Sequence, residues 1–201
     1  MKKYIIILLS IPSLLFAQSK DNEVIVIKSD TQIEEFTSSL GQNELRVDFL
    51  DLLVFPAITV GFEKIIDSSS GYGATLFLNI GGEDTIGEVY NDKFALTPYY
   101  RFYFLQSKDF GGYGIFAEVF TKFSSGNYEK FNDFLDQNQN NETLSYFDIS
   151  PGLAVGKKWI NRKGFTFELL FGVGRNLSTD DDSIARSAGT VRAGVSVGKR
   201  F

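Results

Sequence analysis

The chain has 201 residues, with 20 Lys and Arg against 25 Asp and Glu, a net charge of −5, and neither cysteine nor histidine. Its acidity argues against nucleic acid as a partner, and without cysteine no disulfide, thiolate chemistry or zinc–thiolate site is open to it. The length suits one domain, and no second is expected.

Met1, Lys2 and Lys3 precede an apolar stretch, Tyr4 to Leu9 and Ile11 to Phe16, interrupted by Ser10 and Pro12 and closed by the small Ala17. A permanent membrane helix needs about 20 apolar residues and this stretch has roughly 13, so residues 1–17 read as a secretory signal cleaved after Ala17. No cysteine follows, which excludes a lipoprotein anchor. Loss of Lys2 and Lys3, with no acid lost, takes the charge from −5 to −7. Residues 18–43 are polar apart from Val24 to Ile27, carry an acidic patch at Glu34 and Glu35, and read as a periplasmic lead-in.

From Glu44 onward, segments of about 8 to 12 residues alternate in polarity between turn residues, as barrel strands do. A first strand is expected from Glu44 to Leu53, with Leu45, Val47 and Phe49 on one face and Glu44, Arg46 and Asp48 on the other. Pro56 ends it. The second, Ala57 to Ile66, points Ile58, Val60 and Phe62 outward and Thr59, Gly61 and Glu63 inward. After a turn at Asp67 to Gly71, the third runs from Tyr72 to Ile80 with Leu76 and Leu78 outward. The fourth, Phe94 to Phe104, turns Thr97, Tyr99, Arg101 and Tyr103 inward, and Pro98 within it predicts a bulge or one lost ladder bond. The fifth, Tyr113 to Phe123, and the sixth, Leu144 to Trp159, place Glu118, Lys122, Asp148 and Lys158 inside. A seventh, Phe165 to Leu177, places Glu168 inside. The last, Val191 to Phe201, sets Val191, Ala193, Val195 and Val197 against Arg192, Gly194, Ser196, Gly198 and Arg200.

Connections after strands 2, 4 and 6 are short, and those after 3, 5 and 7 (Gly81 to Lys93, Ser124 to Thr143, Ser178 to Thr190) are long and polar, the alternation of periplasmic turns and extracellular loops. Tyr72, Phe104, Tyr113, Trp159, Phe165 and Phe201 fall at the short-turn ends, where an aromatic girdle meets a bilayer interface. The fold expected is therefore all-β, an eight-stranded antiparallel up-and-down transmembrane barrel over residues 44–201, in a bacterial outer membrane. Phe201 closes the last strand and is read as an assembly signal for the barrel assembly machinery.

Four stretches carry a resemblance: Gly61-Phe62-Glu63-Lys64, Thr97-Pro98-Tyr99-Tyr100-Arg101-Phe102-Tyr103-Phe104, Gly172-Val173-Gly174-Arg175-Asn176-Leu177 and Val197-Gly198-Lys199-Arg200-Phe201. Over Glu44 to Phe201 the chain resembles the small eight-stranded outer-membrane β-barrel proteins of Bacteroidota, barrels of the outer membrane protein X/A type mostly assigned to a domain of unknown function. The resemblance implies a surface-located barrel with no established ligand or catalytic residue, so none carries over.

Inward charges are Arg46, Arg101, Lys122, Lys158, Arg192 and Arg200 against Glu44, Asp48, Glu63, Glu118, Asp148 and Glu168. In so narrow a barrel such charges must pair. A structural ion-pair network is expected among them, Arg46, Asp48, Glu63, Arg101, Glu118, Glu168, Arg192 and Arg200 in particular, and folding strands 4 and 5 about their turn pairs Arg101 with Glu118. Asp180, Asp181 and Asp182, with Glu83, Asp84, Glu88, Asp92, Asp133 and Asp136, make the outer loops acidic. The triple aspartate is a weak candidate for calcium or magnesium bridging to lipopolysaccharide. The absence of histidine excludes the histidine-dependent mechanisms of outer-membrane barrel enzymes, and neither enzymatic activity nor a cofactor is expected. The role expected is structural or interactive at the cell surface, among outer-membrane lipid and lipopolysaccharide and with an extracellular partner possible. A small-solute or ion pore is the alternative, and a soluble lipocalin-like ligand-binding barrel the third reading.

Overall fold

Alternation of apolar and polar residues drives eight segments into strands, because a period of two sorts side chains to opposite faces of a sheet. The computed structural model describes residues 40–54, 56–81, 92–104, 111–130, 142–161, 163–178 and 188–201. The signal reading, all but the last residues of the lead-in, and Asp180, Asp181 and Asp182 lie outside them. The strands are β1 (Asn43–Asp48), β2 (Ala57–Ile65), β3 (Ser70–Asn79), β4 (Asp92–Phe104), β5 (Gly114–Lys130), β6 (Glu142–Ile160), β7 (Phe165–Arg175) and β8 (Gly189–Arg200). The pair Leu177–Ser178 continues β7 in the same register against β6. Each strand pairs antiparallel with the next, and β8 pairs with β1, so the sheet closes into an eight-stranded up-and-down barrel.

The stagger of that closure matters for the interior. One row of partners runs from Arg200 through Glu44, Glu63, Gly73, Tyr99, Phe120, Gly152 and Gly174 to Thr190. It thus re-enters β8 ten residues before Arg200. For eight strands that shear tilts each strand by about 40° to the barrel axis. Side chains at one height therefore come from different rows.

The expected first strand is half right. It stops at Asp48, and Phe49–Val54 form a short helix, α1. Continued as a strand, this stretch would turn Asp51 outward with Phe49 and Leu53 while sending Leu50 and Leu52 into a polar interior. As a helix it exposes Phe49, Leu52 and Leu53 and turns Asp51 to accept from Thr59 Oγ1 at 2.5 Å. Asp48 caps it, Oδ1 accepting from the Leu50 N–H at 2.8 Å and from the Val195 N–H of β8 at 3.3 Å. Among the described residues, β8 thus has no strand on its β1 side above Ser196. Asp48→Ala is expected to destabilise the barrel by about 1 kcal/mol, the usual cost of a lost cap, measured by urea unfolding.

Other boundaries also move. Pro98 causes no bulge: the register on either side of it is unbroken, but the β4–β5 ladder lacks pairs at Thr97 and Pro98, where proline offers no donor. The shift lies at Asp92 and Phe94 instead. Strands β5 and β6 run on to Lys130 and back from Glu142, so much of the expected long loop from Ser124 to Thr143 is hairpin. Asp92, read as a loop acid, is a buried residue of β4. The β2–β3 turn is held by Asp67, whose Oδ2 accepts from the Ser70 hydroxyl at 2.7 Å and Oδ1 from the Ser69 N–H and hydroxyl at 2.7 and 2.8 Å. These donors, Ser70 first, hold its carboxyl below the usual range.

Candidate functional site

The barrel is polar inside and apolar outside. Among the described residues eighteen buried side chains are polar or charged against eleven that are hydrophobic, while large apolar side chains of every strand from β1 to β8 stand on the outer face. Inside, the apolar filling among the described residues comes from three packed groups: Ala57, Phe77 and Ala95, and, on either side of Arg101, Ile65, Tyr103 and Phe116 and Tyr99, Phe120 and Ala154. Glycines on β6 make room for the rings. A Cβ at Gly156 would stand 2.4 Å from Phe116 Cζ, and one at Gly152 2.3 Å from Phe120 Cζ.

Between these groups lies a charged network. Its centre is Glu63 of β2, whose Oε2 accepts from Arg46 Nη1 at 2.9 Å, Arg101 Nη1 at 2.7 Å and Lys158 Nζ at 2.7 Å. Its Oε1 accepts from the Tyr103 hydroxyl. Arg101 of β4 is the other hub. Its Nε donates to Glu118 Oε2 at 2.7 Å, and Nη1 and Nη2 grip both oxygens of Glu168 at 2.6 and 2.8 Å. Its guanidinium carbon lies 4.2 Å from the Phe116 ring centre and 4.5 Å from that of Tyr99. Lys158 reaches Glu44 Oε1 at 3.1 Å, and Arg192 pairs with Glu118. Tyr99 ties the edge, accepting from Arg46 Nη2 at 2.7 Å and donating to the Phe62 carbonyl at 3.1 Å.

Four cations, Arg46, Arg101, Lys158 and Arg192, thus face four carboxylates, Glu44, Glu63, Glu118 and Glu168. The match has a physical reason: an ion taken from water costs several kcal/mol unless its partners and hydrogen bonds replace the lost solvent. Glu44, Glu63 and Glu168 bring one oxygen each within 4.8 Å of one another, a spacing that would suit a metal ion. Here Arg46, Arg101 and Lys158 supply the positive charge from among them: both oxygens of Glu63 and of Glu168 are hydrogen-bonded, while Glu44 accepts from Lys158 Nζ through Oε2 at 3.2 Å and its buried Oε1 has no hydrogen bond.

The residues named from the sequence separate into groups. Arg46, Glu63, Arg101, Glu118, Glu168 and Arg192 meet in the network. Asp48 instead caps α1. Arg200 lies at the short-turn end, its Nε donating to the Gly41 carbonyl at 2.5 Å and Nη1 to that of Gly111 at 2.7 Å. Phe201 stands exposed at the same end, its backbone N–H bonded to the Asn43 carbonyl at 2.8 Å. Lys122 pairs with Asp92 at 2.5 Å, and Asp92 also accepts from the Tyr146 hydroxyl at 2.6 Å, a second, smaller cluster towards the long-loop end. The hydroxyls of Tyr99 and Tyr103 were not foreseen as network members. Their signal was shared inward parity with Arg101 on β4.

A cavity of about 60 Å³ lies above the network, lined by Asp48, Asp51, Thr59, Thr97, Lys122 and Arg192 among others. It has room for a few waters, and Arg46 and Glu168 floor it. Compared with known protein families, with curated proteins and with solved structures, the chain matches none.

Proposed function

We propose that the chain is an outer-membrane β-barrel with a structural or surface-interaction role and a lumen closed by its own side chains. The observation that carries this reading is the reversed polarity of the wall: buried charge within, exposed Leu, Val, Ile and Phe without. A soluble barrel would have to leave that apolar exterior in water, against the hydrophobic effect. A bilayer accepts it, and closure leaves few backbone groups unpaired. Exposed Tyr72, Phe104, Phe165 and Phe201 gather at the short-turn end, as an interfacial girdle would. The barrel is read with that end in the periplasm and the connections after β3, β5 and β7 at the surface, where lipopolysaccharide and an extracellular partner would be met.

The closed lumen favours a plug over the alternative, a small-solute or ion pore. A conducting path would have to break pairs at 2.6 to 2.9 Å among fully buried groups. Two measurements test the reading. In a Gram-negative host the protein is expected in the outer-membrane fraction, and refolded into planar bilayers it is expected to pass no current. Partition into the aqueous phase of a detergent separation would overturn the membrane reading and favour a soluble ligand-binding barrel. Regular conductance steps would overturn the plug.

A further inference from the structure

On the outward face of β6, β7 and β8, two lysines bracket an aromatic patch beneath an apolar groove. The register sets Trp159 opposite Phe167 and Phe165 opposite Lys199. The Trp159 and Phe167 rings lie 5.5 Å apart, Lys157 Nζ stands 5.0 Å from the Trp159 ring centre, and Lys199 Nζ stands 4.6 Å from that of Phe165. Above the patch a groove of about 470 Å³ runs across the strands, lined by Leu50, Val155, Leu169, Phe171, Ala193 and Val195, with Lys157 at its edge.

Lys157 is out of place by polarity alone. It shares the outer face with Val155 and is in register with Ile115 and Leu169. Among the described residues no carboxylate pairs with Lys157 or with Lys199, although eleven ion-pair contacts are made inside and at the mouth of the barrel. A cation on the lipid-facing side is costly near the bilayer centre and tolerable near the interface, where its ammonium can reach a headgroup. An anionic headgroup there gains about 1 kcal/mol per lysine. Lys157 therefore sets an ammonium beside Trp159 at the foot of the groove, which offers an acyl chain an apolar bed leading away from it, while the Lys199 ammonium, over Phe165, donates to the Lys163 carbonyl.

We propose that this face binds an anionic glycerophospholipid, its phosphate met by Lys157 beside Trp159 and one acyl chain lying along the groove towards Leu50. The inference rests on the membrane reading above. Trp159 is the chain's one tryptophan and stands in the patch, so its fluorescence reports on the site. The barrel would be refolded into phosphatidylcholine vesicles doped with acyl-brominated phosphatidylglycerol or with acyl-brominated phosphatidylcholine. The glycerol lipid is expected to quench Trp159 at a mole fraction at least about fivefold lower, the factor one lysine supplies. Lys157→Gln should abolish that preference, whereas Lys64→Gln, on the distant face of β2, should leave it unchanged. Quenching by both lipids without preference, or a preference that survives Lys157→Gln, would overturn the proposal and leave the membrane reading standing. Quenching by neither lipid would sink the membrane reading itself. Relief of quenching by free glycerol phosphate would assign the site to a soluble phosphate and overturn the lipid.

Discussion

Replacing Arg101 with alanine is expected to lower the unfolding free energy by about 3–5 kcal/mol, the cost of breaking a buried ion set by removing one partner, and to leave the lumen electrically silent. The loss is large because Arg101 serves three carboxylates at once, Glu63, Glu118 and Glu168, at 2.6 to 2.8 Å. Without it three cations face four buried acids, and the rings of Phe116 and Tyr99 lose the flat group packed against them. Silence is expected because Arg46, Lys158, Tyr103 and Phe120 still fill the same cross-section. Arg101→Lys should fall between wild type and alanine, since one ammonium keeps the charge but cannot reproduce a planar fork with five donors. Urea unfolding in lipid vesicles measures the first effect and planar-bilayer recording the second. A loss below about 1 kcal/mol, the scale of an exposed ion pair, would mean that water reaches the network. Conductance steps in the alanine variant would assign closure to Arg101 alone and return the pore reading to first place.

How much of this was legible beforehand depends on whether a contact is local. Strands β2, β3, β4, β7 and β8 announce themselves because each carries several alternations between turn residues. Phe49 continues the alternation of Leu45 and Val47, so the start of α1 looks like strand until the mismatch of Asp51 with the outer face is weighed. The far ends of β5 and β6 are hidden for another reason: Ser124, Ser125, Gly126 and Asn127 are small or polar on both faces, and only cross-strand pairing reveals them. Within the network, the β4–β5 hairpin alone sets Arg101 opposite Glu118, 17 residues away. Glu63 and Glu168 reach the same guanidinium from 38 and 67 residues away. Which strand positions share a height is set by the ten-residue shear, a property of the closed sheet that no segment records by itself.

Glu63→Gln tests whether charge balance, rather than any single bond, governs the lumen. The substitution keeps shape, a carbonyl acceptor for the cations and an amide that can donate to the Tyr103 hydroxyl oxygen, yet it removes the charge facing Arg46, Arg101 and Lys158. A loss of about 3–5 kcal/mol is expected, because four cations would then share three carboxylates in a dry interior. Adding Arg46→Met restores three against three. Met occupies much of the space of the arginine stem, and the Tyr99 hydroxyl keeps its bond to the Phe62 carbonyl at 3.1 Å. The double variant should therefore be no less stable than Glu63→Gln alone, with a coupling energy of about 2–3 kcal/mol, near the upper end for residues in one network. The four proteins of this cycle, unfolded in urea from the same vesicles, give that energy directly. Strictly additive losses would show that Glu63 and Arg46 contribute through separate contacts, and the view of the lumen as one neutralised unit would then fail.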